Sequence, residues 1–404
     1  MHSKSVYLVH QLIPYIGNKR KLLPLIRQAV ASTGLVSGTF LDLFAGSGAV
    51  SRLAKTMGFK VVANDWEPYS YYINSAYIAQ NLPPRFKQLG GMESAFRRLN
   101  SLEPVRGYIA MHYCPADTEH PDIDKERMFY TQENGRRIDA MRERIKEWKN
   151  AGAINADEES VLLASLIFQA AYCSNTSGVF KGFHRGWGGS TRTAWYRIRC
   201  NLILSPPVFF DNRKNNQVHL ADAHDLALGT TVDIAYLDPP YNQHQYGSNY
   251  HLLNTVALWD KPPINKQITP GSKSAIRKDW REKRRSPYCY RSTAPVAFRE
   301  LVKHIDAQYI LVSYSTDGII PLQDMLSTLS ERGRLRVIAR RYKRYRVSSM
   351  RPSPRPRTIE FVAIVDTSLP RGVNDANECM GLIEKQIQEE SLQLRSLFTG
   401  HQDI

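Results

Sequence analysis

An acid, two prolines and a tyrosine stand in a row at Asp238-Pro239-Pro240-Tyr241. They follow Val232-Asp233-Ile234-Ala235-Tyr236-Leu237, a β-branched and aromatic run that reads as a buried strand. Prolines cannot continue a hydrogen-bonded ladder, so the chain turns and stiffens here. The turn presents a carboxylate, free carbonyls and an aromatic ring at the carboxyl edge of a sheet, where open α/β sheets bind ligands. Taken alone, the same four residues also describe an ordinary strand end with a surface acid and a packed tyrosine.

Other stretches carry the same kind of chemistry. Thr39 through Ser51 reads as a buried strand ending in Phe44-Ala45-Gly46-Ser47-Gly48, with a helix beginning at Ala49. Gly46 and Gly48 permit the sharp strand-to-helix turn that exposes helix-terminal N–H groups. A dinucleotide fingerprint would place a third glycine where Ser51 stands, and Asp42 would repel a pyrophosphate. An acid there suits a cationic amino-acid moiety instead. Asp65 closes a second short strand about twenty residues past the glycine turn, the position from which an acid bonds ribose hydroxyls. Asp222 ends a further strand, where it is as readily a helix N-cap as a ligand. Near the amino terminus, Gly17 in Tyr15-Ile16-Gly17-Asn18-Lys19 would let backbone approach a ligand, with Lys19 a point charge for a carboxylate.

These groups need an α/β framework. Strand-and-helix alternation holds over residues 1–80 and resumes at 215–370, a catalytic region in two parts. Residues 81–214 break the alternation and read as an inserted, mostly helical domain. Within it, Ser174 to Gly189 interleaves glycine, aromatic and basic residues (Lys181, His184, Arg185). Exposed, that segment offers stacking faces and phosphate contacts; otherwise its aromatics pack into the core. Residues 371–404 form a closing amphipathic helix. The 404 residues suffice for two domains, and a net charge of +16 (54 Lys+Arg against 38 Asp+Glu) favours a polyanionic partner. Two basic runs lie beyond the proline turn. One occupies a loop at 262–300 (Arg281, Lys283, Arg284, Arg285) and the other spans 332–357 (Arg341, Arg344, Arg346), together suggesting a phosphate-tracking groove. Five scattered cysteines, never in a CxxC pair, argue against a disulfide framework or zinc site and for a reducing cytosol. His184 alone makes no metal site. With no signal-peptide core and no apolar run of spanning length, a soluble cytoplasmic protein is expected.

The pieces Tyr15-Ile16-Gly17-Asn18-Lys19, Asp42-Leu43-Phe44-Ala45-Gly46-Ser47-Gly48, Asn64-Asp65, Asp238-Pro239-Pro240-Tyr241 and Val312-Ser313-Tyr314 occur in one order. In that order the chain resembles the Dam-like (D12 class) adenine-N6 DNA methyltransferases. The resemblance covers about residues 10–80 and 215–365. It implies a Rossmann-like methyltransferase sheet with helices on both faces, an inserted target-recognition domain, and S-adenosyl-L-methionine as methyl donor. Tyr15, Gly17 and Lys19 would flank the methionine end of the cofactor, with Phe44, Gly46 and Gly48 shaping its pocket. Asp42 would take the α-ammonium, Asp65 the ribose and Asp222 the adenine edge.

For the reaction, Asp238 and the Pro239 carbonyl would accept the two hydrogens of an exocyclic amine and aim its lone pair at the methyl group. Tyr241 would stack on the base, which must leave the duplex to reach the turn. Double-stranded DNA is the implied partner, with a cognate restriction endonuclease or phage-defence setting, for a monomer or weak dimer. The alternatives are methylation of a cytosine amine or an RNA base, a DNA-binding subunit without turnover, and, least in keeping with the glycines, a nucleotide-dependent dehydrogenase.

Overall fold

The computed structural model describes residues 3–189, 192, 194–343 and 357–399. Seven strands make one mixed sheet: β1 (Thr39–Asp42), β2 (Lys60–Asp65), β3 (Gln217–Leu220), β4 (Thr231–Leu237), β5 (Asp306–Ser315), β6 (Arg334–Lys343) and β7 (Arg357–Asp366). Their spatial order is β3-β2-β1-β4-β5-β7-β6. The first five run parallel, and β7 is antiparallel to both of its neighbours. The chain order reverses between β1 and β4, so a crevice opens outside their carboxyl ends.

Side chains alternate across this sheet with the strand period of two. In β4, Ile234 and Tyr236 pack beneath the helices Leu23–Ala31 and Ala49–Thr56, while Ala235 and Leu237 face the helices Ala294–His304 and Leu322–Ser330. Both faces are therefore covered, as a parallel sheet requires.

A third core gathers the intervening segment. The helices Gln132–Asn150 and Ala156–Tyr172 bury Ile138, Met141, Ile145 and Val161 to Ile167 together with Tyr69, Ile73 and Leu252 from the sheet-bearing part. Asn155 and Glu158 form a reciprocal capping box that starts the second of these helices. Residues 262–276 are pinned by Arg127, whose guanidinium donates to the carbonyls of Asn265, Lys266, Gln267, Ser272 and Lys273, and also to His112.

One open alternative is decided and one expectation needs correction. Phe180 and Phe183 are 1% and 8% exposed, packed on Phe129, so the glycine-rich segment spends these rings on the core. The basic stretch at 262–300 is not one long loop either. It contains a short α-helix at Lys278–Lys283 and a 3-10 turn at Pro287–Cys289, then a longer helix, Ala294–His304, that buries Phe298, Leu301 and Val302. Among the described residues no helix is long and apolar enough to cross a membrane.

Candidate active site

β1 delivers Asp42 to the crevice and the chain then turns on Gly46 and Gly48, both at positive φ (52° and 77°). A Cβ on Gly46 would lie 2.9 Å from the Tyr15 ring, and one on Gly48 would lie 2.3 Å from Asn74 Oδ1. Gly46 therefore lets Tyr15 close over the turn. Gly48 serves helix entry and does not line the cavity, contrary to its expected place in the pocket wall. Asp42 is 1% exposed; its Oδ2 accepts the Ser51 hydroxyl at 2.7 Å and its Oδ1 has no hydrogen-bond partner among the described residues. Burial lifts its pKa to about 7, against the Ser51 hydrogen bond and reinforced by Asp238 and Asp65. Ser51, at the third-glycine position, thus orients the acid.

β2 brings Asp65 alongside. Its two oxygens accept the amides of Gly46 at 2.6 Å and Glu67 at 2.8 Å, which fixes the carboxylate and ties the two strand ends together. Asp222 caps the short helix Ala223–Ala227 through the His224 amide and also lines the cavity, so both of its expected roles are available to it.

The proline turn lies where the strand order reverses. Asp238 and Lys19 form an ion pair at 2.9 Å, with the lysine 4% exposed. Burial pushes the Asp238 carboxyl upward and the Lys19 ammonium opposes it. Lys19 also lies 5.0 Å from the centre of the Tyr241 ring, whose edge-on neighbour is Tyr314. Gly17 (φ 75°) makes this approach possible, since a Cβ there would sit 2.8 Å from the Tyr241 hydroxyl. Pro240 lines the cavity and Pro239 is buried behind it.

Two adjoining cavities share Tyr15, Gly17, Phe44 and Asp238. One contains Asp42, Gly46 and Lys19, and the other contains Asp65 and Asp222. On the far side of Lys19 and Tyr241 opens a cleft of about 510 Å³, bounded by Arg20, Lys21, Ser177, Gly178, Ser315, Tyr342 and Glu360. Lys19 and Tyr241, which line both spaces, thus divide the cavity that holds Asp238 from a wider cleft with a basic rim.

Residues 15–315 match the family model of the D12 class N6 adenine-specific DNA methyltransferases. The chain belongs to this family. It is 36% identical over 335 residues to the type II methyltransferase M.NlaIII of Neisseria lactamica, covering 82% of this chain and 92% of that protein. It is 34% identical to the modification methylase StsI of Streptococcus sanguinis and 33% identical to the modification methylase LlaI of Lactococcus lactis subsp. lactis. Those matches span 78% and 77% of this chain but only 46% and 47% of the relatives. The chain is thus a DNA adenine methyltransferase, with DNA as its substrate. Membership also implies the methyl donor general to such enzymes.

Several cavity residues escaped sequence reasoning. Trp66, Glu67, Gln245, Tyr246 and Tyr288 all line it. Glu67 accepts the Asn254 amide, and burial pushes its pKa to about 7. The one available signal was its place two residues past Asp65. Arg284, expected on DNA, instead lies 5.2 Å from the Trp66 ring and 4.3 Å from Trp280, donates to the Trp66 carbonyl and walls the cavity. The other basic residues are dispersed. Lys181, Lys283 and Arg285 are exposed, Arg185 is exposed and pairs with Asp124, and His184 and Arg341 are half-buried. The side chain of Arg281, and Arg344 and Arg346 entirely, lie outside the described residues.

Proposed function

We propose that the protein transfers the methyl group of S-adenosyl-L-methionine to N6 of an adenine turned out of duplex DNA, and that the shared wall of cavity and cleft is where the transfer occurs. The observation that carries this reading is the pairing of Asp238 with Lys19: the half-buried acid lines the cavity, and the buried lysine lines both cavity and cleft. The cofactor supplies a methyl group on a positively charged sulfur. The cavity residues fit such a molecule: Asp42 presents an unpartnered buried oxygen suited to an ammonium, and Asp65 and Asp222 stand at the other end. Tyr15, Phe44 and Tyr288 give the apolar walls.

On the cleft side, an adenine amine is a poor nucleophile because its lone pair is delocalised into the ring. Asp238 and the Pro239 carbonyl would accept its two hydrogens, localising the lone pair and orienting it. Lys19 keeps Asp238 anionic despite burial, and so keeps it an acceptor. Tyr241, fixed by Lys19 and Tyr314, would stack on the extruded base. The helical segment 81–214, with Ser177 and Gly178 at the cleft, and the basic rim would carry target recognition and backbone contacts. Relatives named as type II and modification methylases support a cytoplasmic restriction-modification role, with a cognate endonuclease as partner to a monomer or weak dimer.

Expression in a host without adenine methylation, followed by nucleoside analysis of its DNA, tests the proposal. N6-methyladenine supports it; N4-methylcytosine, or no modified base, refutes it.

A further inference from the structure

β7 runs antiparallel to β5, so its first residues lie at the same sheet edge as Asp238. Glu360 sits there, opposite Ser315 of β5 and in the wall of the 510 Å³ cleft. It is 6% exposed, and its Oε2 has no hydrogen-bond partner among the described residues. The adjacent hydroxyls are occupied with one another: Ser315 meets Thr358 at 2.9 Å and Thr358 meets Thr316 at 3.2 Å. Lys19 faces Glu360 but is committed to Asp238. Among the described residues, Asp238, Asp317, Tyr241 and Tyr342 are the other titratable groups around it, and Arg340, its register partner on β6, is exposed. Burial holds the Glu360 carboxyl above its ordinary range; Lys19 opposes this, while Asp238 and Asp317 add to it.

With the one ammonium paired to Asp238, the buried Glu360 carboxyl is left uncompensated, and such a group takes a proton rather than stay charged. A neutral carboxyl is a donor as well as an acceptor. We propose that Glu360 is a specificity-determining residue that, as a carboxylic acid, donates a hydrogen bond to a ring nitrogen of the base whose amine Asp238 holds. Adenine offers N1, N3 and N7 as acceptors. The inference rests on the cleft being the base pocket. It adds to that reading the group that tests the ring itself, since a site built around a hydrogen bond rejects a base lacking the partner atom.

The test measures kcat/KM for transfer to duplexes carrying adenine, 1-deazaadenine, 3-deazaadenine or 7-deazaadenine at the methylated position, once sequencing has located it. Wild type, Glu360→Ala and Glu360→Gln are compared. On adenine, Glu360→Ala should lose roughly 10- to 100-fold, and Glu360→Gln, which keeps a donor, should stay within about tenfold of wild type. One of the three deaza bases should cost wild type a similar factor and cost Glu360→Ala nothing further. Cofactor binding by calorimetry confirms that each variant is folded. Should Glu360→Ala fail that check, Glu360→Gln decides: wild-type selectivity across the deaza series supports the proposal, and loss of selectivity overturns it. Wild-type turnover by Glu360→Ala, or additivity of that substitution with all three deaza bases, also overturns it. A wild-type protein inert on every adenine duplex would instead overturn the reading of the cleft.

Discussion

Replacing Asp42 with asparagine should separate cofactor capture from the rest of the site. Burial raises the Asp42 pKa from 3.8 to about 7. A shift of about 3 units means that ionising this carboxyl in the free protein costs roughly 4 kcal/mol more than in water. The carboxylate is the form that holds an ammonium, so affinity should follow the ionised fraction, about 3% at pH 5.5 and about 75% at pH 7.5. Binding of S-adenosyl-L-methionine to wild type, measured by isothermal titration calorimetry, should therefore strengthen about 25-fold over that interval. Asp42→Asn should bind weakly at both pH values, without the slope. Glu67 shares the cavity and also has a pKa of about 7, so Glu67→Gln is the control that should keep the slope. Stability carries the opposite sign. Between pH 4 and 7 the folded Asp42 holds a proton that the unfolded chain releases, so the free protein loses stability as pH rises through that window. Asp42→Asn should be free of this loss, by up to roughly 4 kcal/mol at pH 7. A wild-type affinity that is flat with pH, or a slope that survives in Asp42→Asn, would show that this carboxyl does not hold the ammonium.

Further outcomes follow from the geometry. Gly17→Ala places a methyl 2.8 Å from the Tyr241 hydroxyl at a positive φ, so the turn must shift; turnover in steady-state assays should fall about 100-fold, as ångström-scale misplacement does. Neutralising exposed Lys283, Arg285 and Arg291 should weaken DNA binding and flatten log K against log salt by about 0.9 for each phosphate that is no longer neutralised. Arg277→Ala, which breaks pairs with Asp260 and Asp279, should lower thermal stability and leave that slope alone.

The catalytic framework was legible because its signals are local. Strand β4 runs into two prolines that cannot continue the ladder, β1 is followed by a turn on Gly46 and Gly48 at positive φ, and each strand leaves an acid at the edge. Membership of one pocket was less legible where it depends on the third dimension. Arg284 reads as one member of a charge run, yet Trp66 and Trp280, far apart in sequence, stack on it and turn it inward. Phe180 and Phe183 read either as stacking platforms or as core residues, and only their packing on Phe129 decides for the core. Glu360 gave no signal at all, since an acid early in an antiparallel strand meets the site only through its pairing with Ser315.

The decisive measurement is single-turnover methyl transfer by Asp238→Ala, read beside its binding of cofactor and of DNA. Because Lys19 loses its ion-pair partner and is left with Glu360 alone, the variant should be less stable than wild type, and the assay belongs at a temperature where it remains folded. The expected result is no measurable N6-methyladenine with both ligands still bound. Transfer at the wild-type rate would contradict the claim that this carboxylate grips the reacting amine.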